Sequence, residues 1–321
     1  MGKNLLSRIA SGDTESAKMN DLKSRLDAAN RIIEEQQERI ENLSKAKFSI
    51  PTQKKSRPTK GCFVRLIVPD THGSMIDPKA AAAMFADIPE LKPKEIVHLG
   101  DAIDCGGFLA QHHVWGYVAE AEYTFEQDVA AANVFFDKLQ SLAPQATIHY
   151  LEGNHDRRIE TWCVTQALRS KIDAAYLKRM FGVATQLNIA KRGIHHWEQG
   201  KRYMDCRIPA TIRLGNCFFT HGTKHGKNAA SAMLSRFAGN VVFGHVHKLL
   251  SASDRTVKDG EIGAWCPGSL CFEQPLWRHS DPTDWCQGYG VQLVRPSGDF
   301  LHINVPIIDG KSYLMQLLGS R

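Results

Sequence analysis

Five short polar motifs recur along this 321-residue chain, and each supplies carboxylate, amide or imidazole groups rather than thiolates. Groups of this kind bind hard or borderline divalent cations. In chain order the motifs are Asp70-Thr71-His72, Gly100-Asp101 with Asp104 three residues on, Gly153-Asn154-His155-Asp156-Arg157, His221-Gly222 and Gly244-His245-Val246-His247. Any one motif alone would be weak evidence, but the ordered set predicts a centre for two metal ions that acts on phosphate esters.

The chemistry of phosphate-ester hydrolysis explains why these residue types are needed. A phosphate ester is negatively charged and repels hydroxide. Two divalent cations about 3.5–4 Å apart remove that repulsion and lower the pKa of a water that bridges them. A carboxylate can hold two cations this close because each of its oxygens can bind one of them. Asp101 is the expected bridge, since it ends a predicted strand, follows a glycine and lies in the middle of the set.

Each motif directly follows an apolar run that is typical of a buried strand. These runs cover residues 62–69, 95–99, 147–151, 216–220 and 240–243. In an open α/β sheet, ligands bind just beyond the carboxyl ends of the strands, which is where the motifs fall. After the last motif, residues 248–264 and 289–305 are predicted to form β-hairpins, with a long loop or lid over 273–287.

The composition is that of an ordinary soluble globular protein, with 43% hydrophobic and 23% charged residues. No apolar run approaches the roughly 18 residues that cross a bilayer, and residues 1–6 lack the apolar stretch of a signal peptide. The eight cysteines form no Cys-x-x-Cys pair, which favours reduced thiols over a disulfide framework. We therefore expect a cytoplasmic protein without membrane contact, in the host cytoplasm if a virus encodes it.

Positive charge is concentrated in two parts of the chain. Residues 1–60 hold 13 Lys and Arg against 8 Asp and Glu, and residues 157–207 hold 11 against 4. The second stretch interleaves its cations with aromatic residues and lacks proline and glycine over 157–181, so we expect a basic aromatic helical insertion. Such a stretch could bind a polyanion whose bases stack on the aromatic rings, or could simply present a solvated cationic face.

The N-terminal segment, residues 1–47, is predicted to be a helix that a basic linker over 48–60 joins to the main domain over 61–321. Its apolar residues follow the 3/4 spacing of a coiled-coil seam. The seam consists of Met19, Leu22, Leu26, Ala29, Ile33, Gln36, Ile40 and Leu43. Because the linker contains two prolines and no acidic residue, it would detach the helix from the main domain. We expect the helix to join copies into a homo-oligomer or to dock a partner, and packing on its own domain is the alternative.

The ordered motifs resemble those of the calcineurin-like metallophosphoesterase superfamily, which includes double-strand-break-repair nucleases and many bacteriophage-encoded members. The resemblance covers residues 62 to about 305 and includes all five motifs. It implies an α/β fold, a four-layer αββα sandwich of two mixed sheets, here preceded by the N-terminal coiled-coil helix. Two divalent metal ions are the implied cofactors. Mn²⁺ is expected, and mixed nitrogen and oxygen ligands also admit Fe, Zn or Ni.

Carried onto this sequence, the resemblance assigns seven residues to the two metals. The first metal would be held by Asp70, His72 and His247, the second by Asn154, His221 and His245, and Asp101 would bridge them. His155 would correspond to the histidine that assists the leaving group without binding metal, and Arg157 lies where some members contact phosphate. Asp156 could hydrogen-bond to the neighbouring imidazole, raise its pKa and favour a general acid near neutral pH.

Four further residues are candidates for contact with the substrate. His112 and His113 lie in the loop after the bridging aspartate, and Lys224 and His225 follow the fourth motif. Histidines in loops are commonly surface residues, and the lysine could instead cap a helix, so both interpretations stay open. Asp104 is expected to support the site or its loop without binding metal.

Three classes of function fit the sequence. The favoured class is a phosphodiesterase or nuclease that hydrolyses nucleic acid or nucleotide diesters, because the basic aromatic stretch suits a polyanionic partner. A phosphomonoesterase acting on nucleotides or phosphoproteins is the alternative, and it would need no extended cationic track. A non-catalytic scaffold built on the coiled coil is the third class, and the intact ligand set argues against it.

Overall fold

The computed structural model describes residues 20, 23–28, 30–31, 34, 37, 61–105, 124–168, 170–203, 206, 208–275 and 282–314. The chain divides into two units, residues 1–57 and 58–321. The described residues of the first unit are helical and exposed. Most of the predicted coiled-coil seam and the whole linker over 48–60 lie outside the described residues, so both remain predictions.

The second unit contains two mixed β-sheets. Its described strands are β1 (Phe63–Val68), β2 (Glu95–His98), β3 (Thr147–Leu151), β4 (His195–Trp197), β5 (Thr211–Leu214), β6 (Cys217–Thr220), β7 (Val241–Phe243), β8 (Leu249–Thr256), β9 (Gly260–Pro267), β10 (Gly288–Val294), β11 (Phe300–Ile308) and β12 (Lys311–Ser312). The first sheet has the order β12-β11-β10-β1-β2-β3-β4, and the second has the order β5-β6-β7-β9-β8. Strands β1 to β4 run parallel, as do β6, β7 and β9.

Helices connect the strands and cover the sheets. The described helices of this unit are α1 (Pro78–Leu91), α2 (Phe125–Leu142), α3 (Arg158–Gln166), α4 (Lys171–Phe181), α5 (Val183–Gln186) and α6 (Ala229–Phe237). The first begins at Asp77, whose carboxylate accepts a hydrogen bond from the Lys79 amide. The second begins with a capping box formed by Thr124 and Gln127. Among the described residues, no helix has both the length and the apolar character that crossing a bilayer requires.

Side chains that alternate along β1 enter two separate cores. Leu66 and Val68 pack against α1 and α2, in a cluster where Phe136 is fully buried. Ile67 points the other way and packs with Phe219 of the second sheet. Helix α6 covers the outer face of that second sheet. The order of layers is helices, sheet, sheet and helix, which confirms the predicted αββα sandwich.

The predicted strands that precede the five motifs are present as β1, β2, β3, β6 and β7, with ends within one residue of the prediction. Both predicted hairpins are also present, as β8–β9 and β10–β11. Among the described residues of 157–207, the last helical one is Gln186, so the predicted helical insertion does not extend over residues 187–203. Strand β4 follows and extends the first sheet in parallel with β3. Ring stacking of His195 on His149 and of His196 on Tyr150 favours this pairing.

Candidate metal centre

The parallel strands bring the five motifs to one edge of the sandwich. In the first sheet, Asp70, Asp101 and Asn154 follow the carboxyl ends of β1, β2 and β3. In the second sheet, His221 and His245 follow the carboxyl ends of β6 and β7. The two main-chain amides after Asp70 donate hydrogen bonds to the carbonyl of Asp101 at 3.1 and 2.8 Å. The backbone therefore fixes the loops relative to one another.

One ligand cluster consists of Asp70, His72 and His247, all of which are buried. The Nε2 atoms of the two histidines are 3.1 Å apart, and Nε2 of His247 is 3.0 Å from Oδ2 of Asp70. Three donor atoms that converge in this way can share one cation. These residues are the set that the resemblance assigns to the first metal.

A second cluster consists of Asp101, His221 and His245. Nε2 of His221 is 3.2 Å from Oδ2 of Asp101 and 2.9 Å from Oδ1 of Asn154. The rings of His221 and His245 lie with their centroids 5.1 Å apart. With Asn154 included, these residues are the set that the resemblance assigns to the second metal and its bridge.

Asp101 lies between the two clusters. Its Oδ2 is 3.2 Å from Nε2 of His221 in one cluster and 3.7 Å from Nε2 of His72 in the other. Its Oδ1 accepts a hydrogen bond from the main-chain amide of His155 at 2.8 Å, which orients the carboxylate. This position is the one that a carboxylate shared by two cations would need.

Two motif glycines let the main chain approach the buried carboxylates. A Cβ atom at Gly153 would lie 2.0 Å from Oδ1 of Asp101, and one at Gly244 would lie 2.3 Å from Oδ1 of Asp70. Both distances are far shorter than a van der Waals contact. Any side chain at either position would therefore displace a carboxylate of the site.

Four of the candidate ligands have a left-handed main-chain conformation. The φ angles are 52° for His72, 48° for Asp101, 74° for His245 and 52° for His247. For residues other than glycine this conformation costs about 1–3 kcal/mol each, and it is concentrated at functional sites. The surrounding hydrogen bonds hold these residues in place against that cost.

The buried carboxylates make the site attractive to positive charge. Burial alone would raise the pKa of Asp70, Asp101 and Asp104, but neighbouring imidazoles lower all three. Burial alone would lower the pKa of His72 and His221, but the carboxylates raise each to about 9. Divalent cations can replace the imidazole protons, because a histidine binds metal in its neutral form. The donor set therefore fits divalent metal ions.

His155 forms a third group of possible ligands with His72 and Asp101, and two other residues orient its ring. Its Nδ1 is 2.7 Å from Oδ1 of Asp104, and Nη2 of Arg158 donates to its Nε2 at 3.0 Å. The same Oδ1 of Asp104 is 2.8 Å from Nδ1 of His72. Asp104 thus supports both a candidate metal ligand and His155, which agrees with its expected supporting role.

The predicted hydrogen bond between Asp156 and the His155 imidazole is not formed. The Asp156 carboxylate instead accepts hydrogen bonds from the main-chain amides of Ile103 at 3.2 Å and Gly153 at 2.8 Å. Burial raises its pKa to about 7, with the charge of Asp101 adding to the effect. Asp156 therefore holds two loops together. The contact with the His155 imidazole that was expected of Asp156 is made by Asp104.

Among the described residues that line the cavity over the clusters, the arginine is Arg158, and the expected phosphate contact of Arg157 remains a prediction. Arg157 is exposed, whereas Arg158 is buried and lines the cavity over the clusters. Nη1 of Arg158 also donates to the main-chain carbonyl of Asp104 at 2.9 Å, which fixes the guanidinium. Successive residues of a helix point about 100° apart, which explains why Arg158 is buried at the cavity while Arg157 is exposed.

The other predicted substrate residues differ in their positions. His225 is exposed, and its Nε2 is 3.2 Å from Nε2 of His245, so it lies at the rim of the second cluster. Lys224 is half-buried next to it. His112 and His113 lie outside the described residues, and their role remains a prediction.

A cavity of about 190 Å³ lies over the two clusters. Besides Arg158 and the candidate ligands, its lining includes Met75, Phe272, Pro275 and Trp285. The Trp285 ring packs edge-on against His247, with centroids 4.3 Å apart. Sequence reasoning did not single out these four apolar residues. The predicted loop over 273–287, which carries two of them, was the available signal.

The chain was compared with models of known protein families and with known proteins. A model of the family described as calcineurin-like phosphoesterase matches residues 64–294 of this chain. A search among curated proteins finds no match.

Several solved structures are similar over most of the main domain. Vacuolar protein sorting 29 from Cryptosporidium parvum is 12% identical with a TM-score of 0.41, and the match covers 78% of this chain and 95% of that one. The E. coli phosphoesterase YfcE is 15% identical with a TM-score of 0.34, over 75% and 99%. Nuclease MPE from Pseudomonas putida is 12% identical with a TM-score of 0.28, over 74% and 87%.

Replacing Gly153 by alanine should weaken metal binding, because the new methyl group would displace the Asp101 carboxylate from between the clusters. We expect the Gly153→Ala chain to retain less than half of the manganese that the unaltered chain holds after equilibrium dialysis. Gly200→Ala is the matched control, since a Cβ atom there meets no atom within 4 Å. Equal metal content in both variants would contradict the assignment of Asp101 as a shared ligand.

Proposed function

Because the chain belongs to the calcineurin-like phosphoesterase family and is a phosphoester hydrolase, we propose that it cleaves phosphodiesters of nucleic acids or nucleotides. A phosphodiester carries one negative charge and an organic group on each side of phosphorus. A phosphomonoester carries up to two negative charges and a single organic group. The two substrate classes therefore require different surroundings for the phosphate.

The lining of the cavity is the observation that carries this proposal. Among the described residues that line it, Arg158 is the only lysine or arginine, and Met75, Phe272, Pro275 and Trp285 form an apolar wall. A single fixed cation suits a singly charged phosphate. An apolar wall with two aromatic rings suits an organic group next to that phosphate, since bases stack on aromatic side chains with about 1–3 kcal/mol each.

Arg158 is the residue that would contact the phosphate. It is 7% exposed, and among the described residues its guanidinium donates to a carbonyl and an imidazole rather than to a carboxylate. A buried charge is costly unless an opposite charge accompanies it. The phosphate of a bound substrate would supply that charge. When the guanidinium turns to the phosphate, Nε2 of His155 becomes accessible to the leaving oxygen.

The remaining residues divide the chemistry between them. Two divalent cations bound at the clusters would neutralise the phosphate and activate a water molecule, and Mn²⁺, Fe, Zn or Ni would suit the donors. Asp101 would hold the two sites together. Asp104 accepts the Nδ1 proton of His155 and so orients the imidazole. Once Arg158 has turned to the phosphate, Nε2 of His155 would take up a proton from solvent and give it to the leaving alkoxide.

Some of the cations in the basic stretch over 157–207 are already paired with acidic residues. The stretch is therefore weaker support for an extended nucleic-acid surface than its composition alone. Arg192 is paired with Asp137 and its side chain is only 10% exposed. Lys178 is paired with both Glu160 and Glu198. These pairs neutralise part of the positive charge, so the proposal depends on the cavity rather than on this stretch.

Reporter esters test the proposed substrate class directly. With Mn²⁺ added, we expect kcat/KM for bis(p-nitrophenyl) phosphate to exceed that for p-nitrophenyl phosphate by at least about tenfold, because a singly charged diester matches the cavity. Steady-state absorbance at several substrate concentrations gives both constants. Faster hydrolysis of the monoester would contradict the diesterase proposal and favour the phosphomonoesterase.

Replacing His155 by alanine should slow the chemical step without removing metal. For a diester with an alkyl leaving group, we expect kcat to fall by roughly 10²–10⁴, the range typical of a lost general acid. For a p-nitrophenyl leaving group the loss should be much smaller, because p-nitrophenolate leaves without being protonated. If His155→Ala instead loses bound metal, or slows both esters equally, His155 does not act as the proton donor.

Arg158 and Arg157 form a matched pair for mutagenesis, since one is buried in the cavity and the other is exposed. Arg158→Gln should raise KM for the diester by roughly 10–100-fold, because a hydrogen bond between charged groups contributes about 1.5–3 kcal/mol. Arg158→Lys should be intermediate, and Arg157→Gln should leave KM unchanged. A larger effect from Arg157→Gln would show that the exposed arginine contacts the phosphate.

A further inference from the structure

The cavity over the metal clusters has two chemically different ends. Four rings contact one another edge-on in succession, those of His155, His72, His247 and Trp285, with centroids 4.5, 4.9 and 4.3 Å apart. The guanidinium of Arg158 bonds to the imidazole of His155, at the first end of this series. The cation and the proposed proton donor therefore lie three ring contacts away from the indole of Trp285.

A second aromatic ring lies at the His247 end of the cavity. Phe272 directly follows Cys271, whose Sγ is 3.8 Å from Nδ1 of His247. The Phe272 side chain is 41% exposed and lines the cavity, and Trp285 is half-buried and lines it too. Both rings therefore offer surface to a ligand, and we call Phe272 and Trp285 the aromatic end.

The main chain on either side of Trp285 is tied to the last metal-binding motif. The amide of Cys286 donates a hydrogen bond to the carbonyl of His247 at 2.7 Å. The carboxylate of Asp284 forms an ion pair with Lys248, the residue after that motif. Because these contacts hold the indole in place before any ligand binds, less entropy is lost when a ligand packs against it.

Hydrolysis of a phosphodiester treats its two organic groups differently. The oxygen and one hydrogen of a water molecule join phosphorus, and the second proton of that water goes to solvent. One P–O ester bond breaks, and the departing alkoxide takes a proton from His155 and leaves as an alcohol. The other organic group stays on phosphorus in the product monoester. Since the leaving oxygen must reach His155, the group that stays is the one that can extend to the aromatic end.

We propose that the aromatic end, and Trp285 in particular, binds the nucleoside that stays on phosphorus. Every base has a flat face that stacks on an aromatic side chain, so this end suits a nucleoside without selecting its sequence. The products are then a nucleotide held at Trp285 and an alcohol released beside His155. This inference rests on the proposed diesterase function and adds to it which of the two ester bonds is broken.

The methyl ester of thymidine 5′-monophosphate tests which bond is broken, because methoxide and the nucleoside alkoxide are similarly poor leaving groups. Early in the reaction with Mn²⁺, we expect thymidine 5′-monophosphate to exceed thymidine by at least about tenfold on liquid chromatography. Trp285→Leu should reduce this product ratio below about threefold, and Trp285→Phe should keep most of it. The ratio is measured within each variant, so a change in the total rate does not affect it. An excess of thymidine, or the same ratio in Trp285→Leu as in the unaltered chain, would overturn the proposal.

Binding of the product tests the same contact without turnover. In calorimetric titrations of the full chain with Mn²⁺, thymidine 5′-monophosphate should bind at least about tenfold more tightly than methyl phosphate. Trp285→Leu should reduce this preference below about threefold. Tyr176→Leu is the control, since it removes an aromatic ring that is 53% exposed on α4 and does not line the cavity. Equal affinity of the unaltered chain for the two ligands would overturn the proposal.

The two proposals fail in different ways. Hydrolysis of diesters with thymidine as the main product would overturn the role of Trp285 and leave the diesterase proposal standing. Faster hydrolysis of p-nitrophenyl phosphate than of bis(p-nitrophenyl) phosphate would overturn the diesterase proposal, and this inference with it.

Discussion

Two buried carboxylates, Asp70 and Asp101, share one pocket, and their mutual repulsion must be balanced by positive charge. The balancing groups are imidazoles. Nε2 of His72 lies 4.0 Å from Oδ2 of Asp70 and 3.7 Å from Oδ2 of Asp101, and Nε2 of His247 lies 3.0 Å from Oδ2 of Asp70. Burial makes unbalanced charge expensive, so this pocket requires either protons on its histidines or cations among them. The clustering of histidines around these carboxylates and the left-handed loops that hold the ligands follow from this requirement.

The fold brings the histidines next to the buried carboxylates. Parallel strands end at the same edge of each sheet, so residues as distant in sequence as Asp70 and His247 are brought within hydrogen-bonding distance. Gly153 and Gly244 leave room for the carboxylates of Asp101 and Asp70. Four of the ligands themselves have a left-handed main-chain conformation. The two apolar cores on either side of the first sheet keep these loops in register.

Much of this arrangement could be predicted from the sequence, because apolar runs and motif order are local signals. Each strand before a motif was predicted to within one residue, and the ligands Asp70, His72 and His247 lie together as the family resemblance implied. The contacts around His155 could not be predicted. Asp104 and His155 are 51 residues apart, and adjacency in sequence pointed to Asp156 instead, whose carboxylate accepts hydrogen bonds from main-chain amides. Likewise, the sequence did not show which of the adjacent residues Arg157 and Arg158 lines the cavity. The composition of 157–207 gave no sign that β4, within this stretch, pairs with β3.

Crystals grown with Mn²⁺ and measured at the manganese absorption edge would test the central claim, that Asp101 is shared by two metal ions. The expected anomalous map contains two peaks about 3.5–4 Å apart with the Asp101 carboxylate between them. One peak should lie among Asp70, His72 and His247, and the other among Asn154, His221 and His245. A single peak, or two peaks without a carboxylate oxygen of Asp101 on each, would contradict the account.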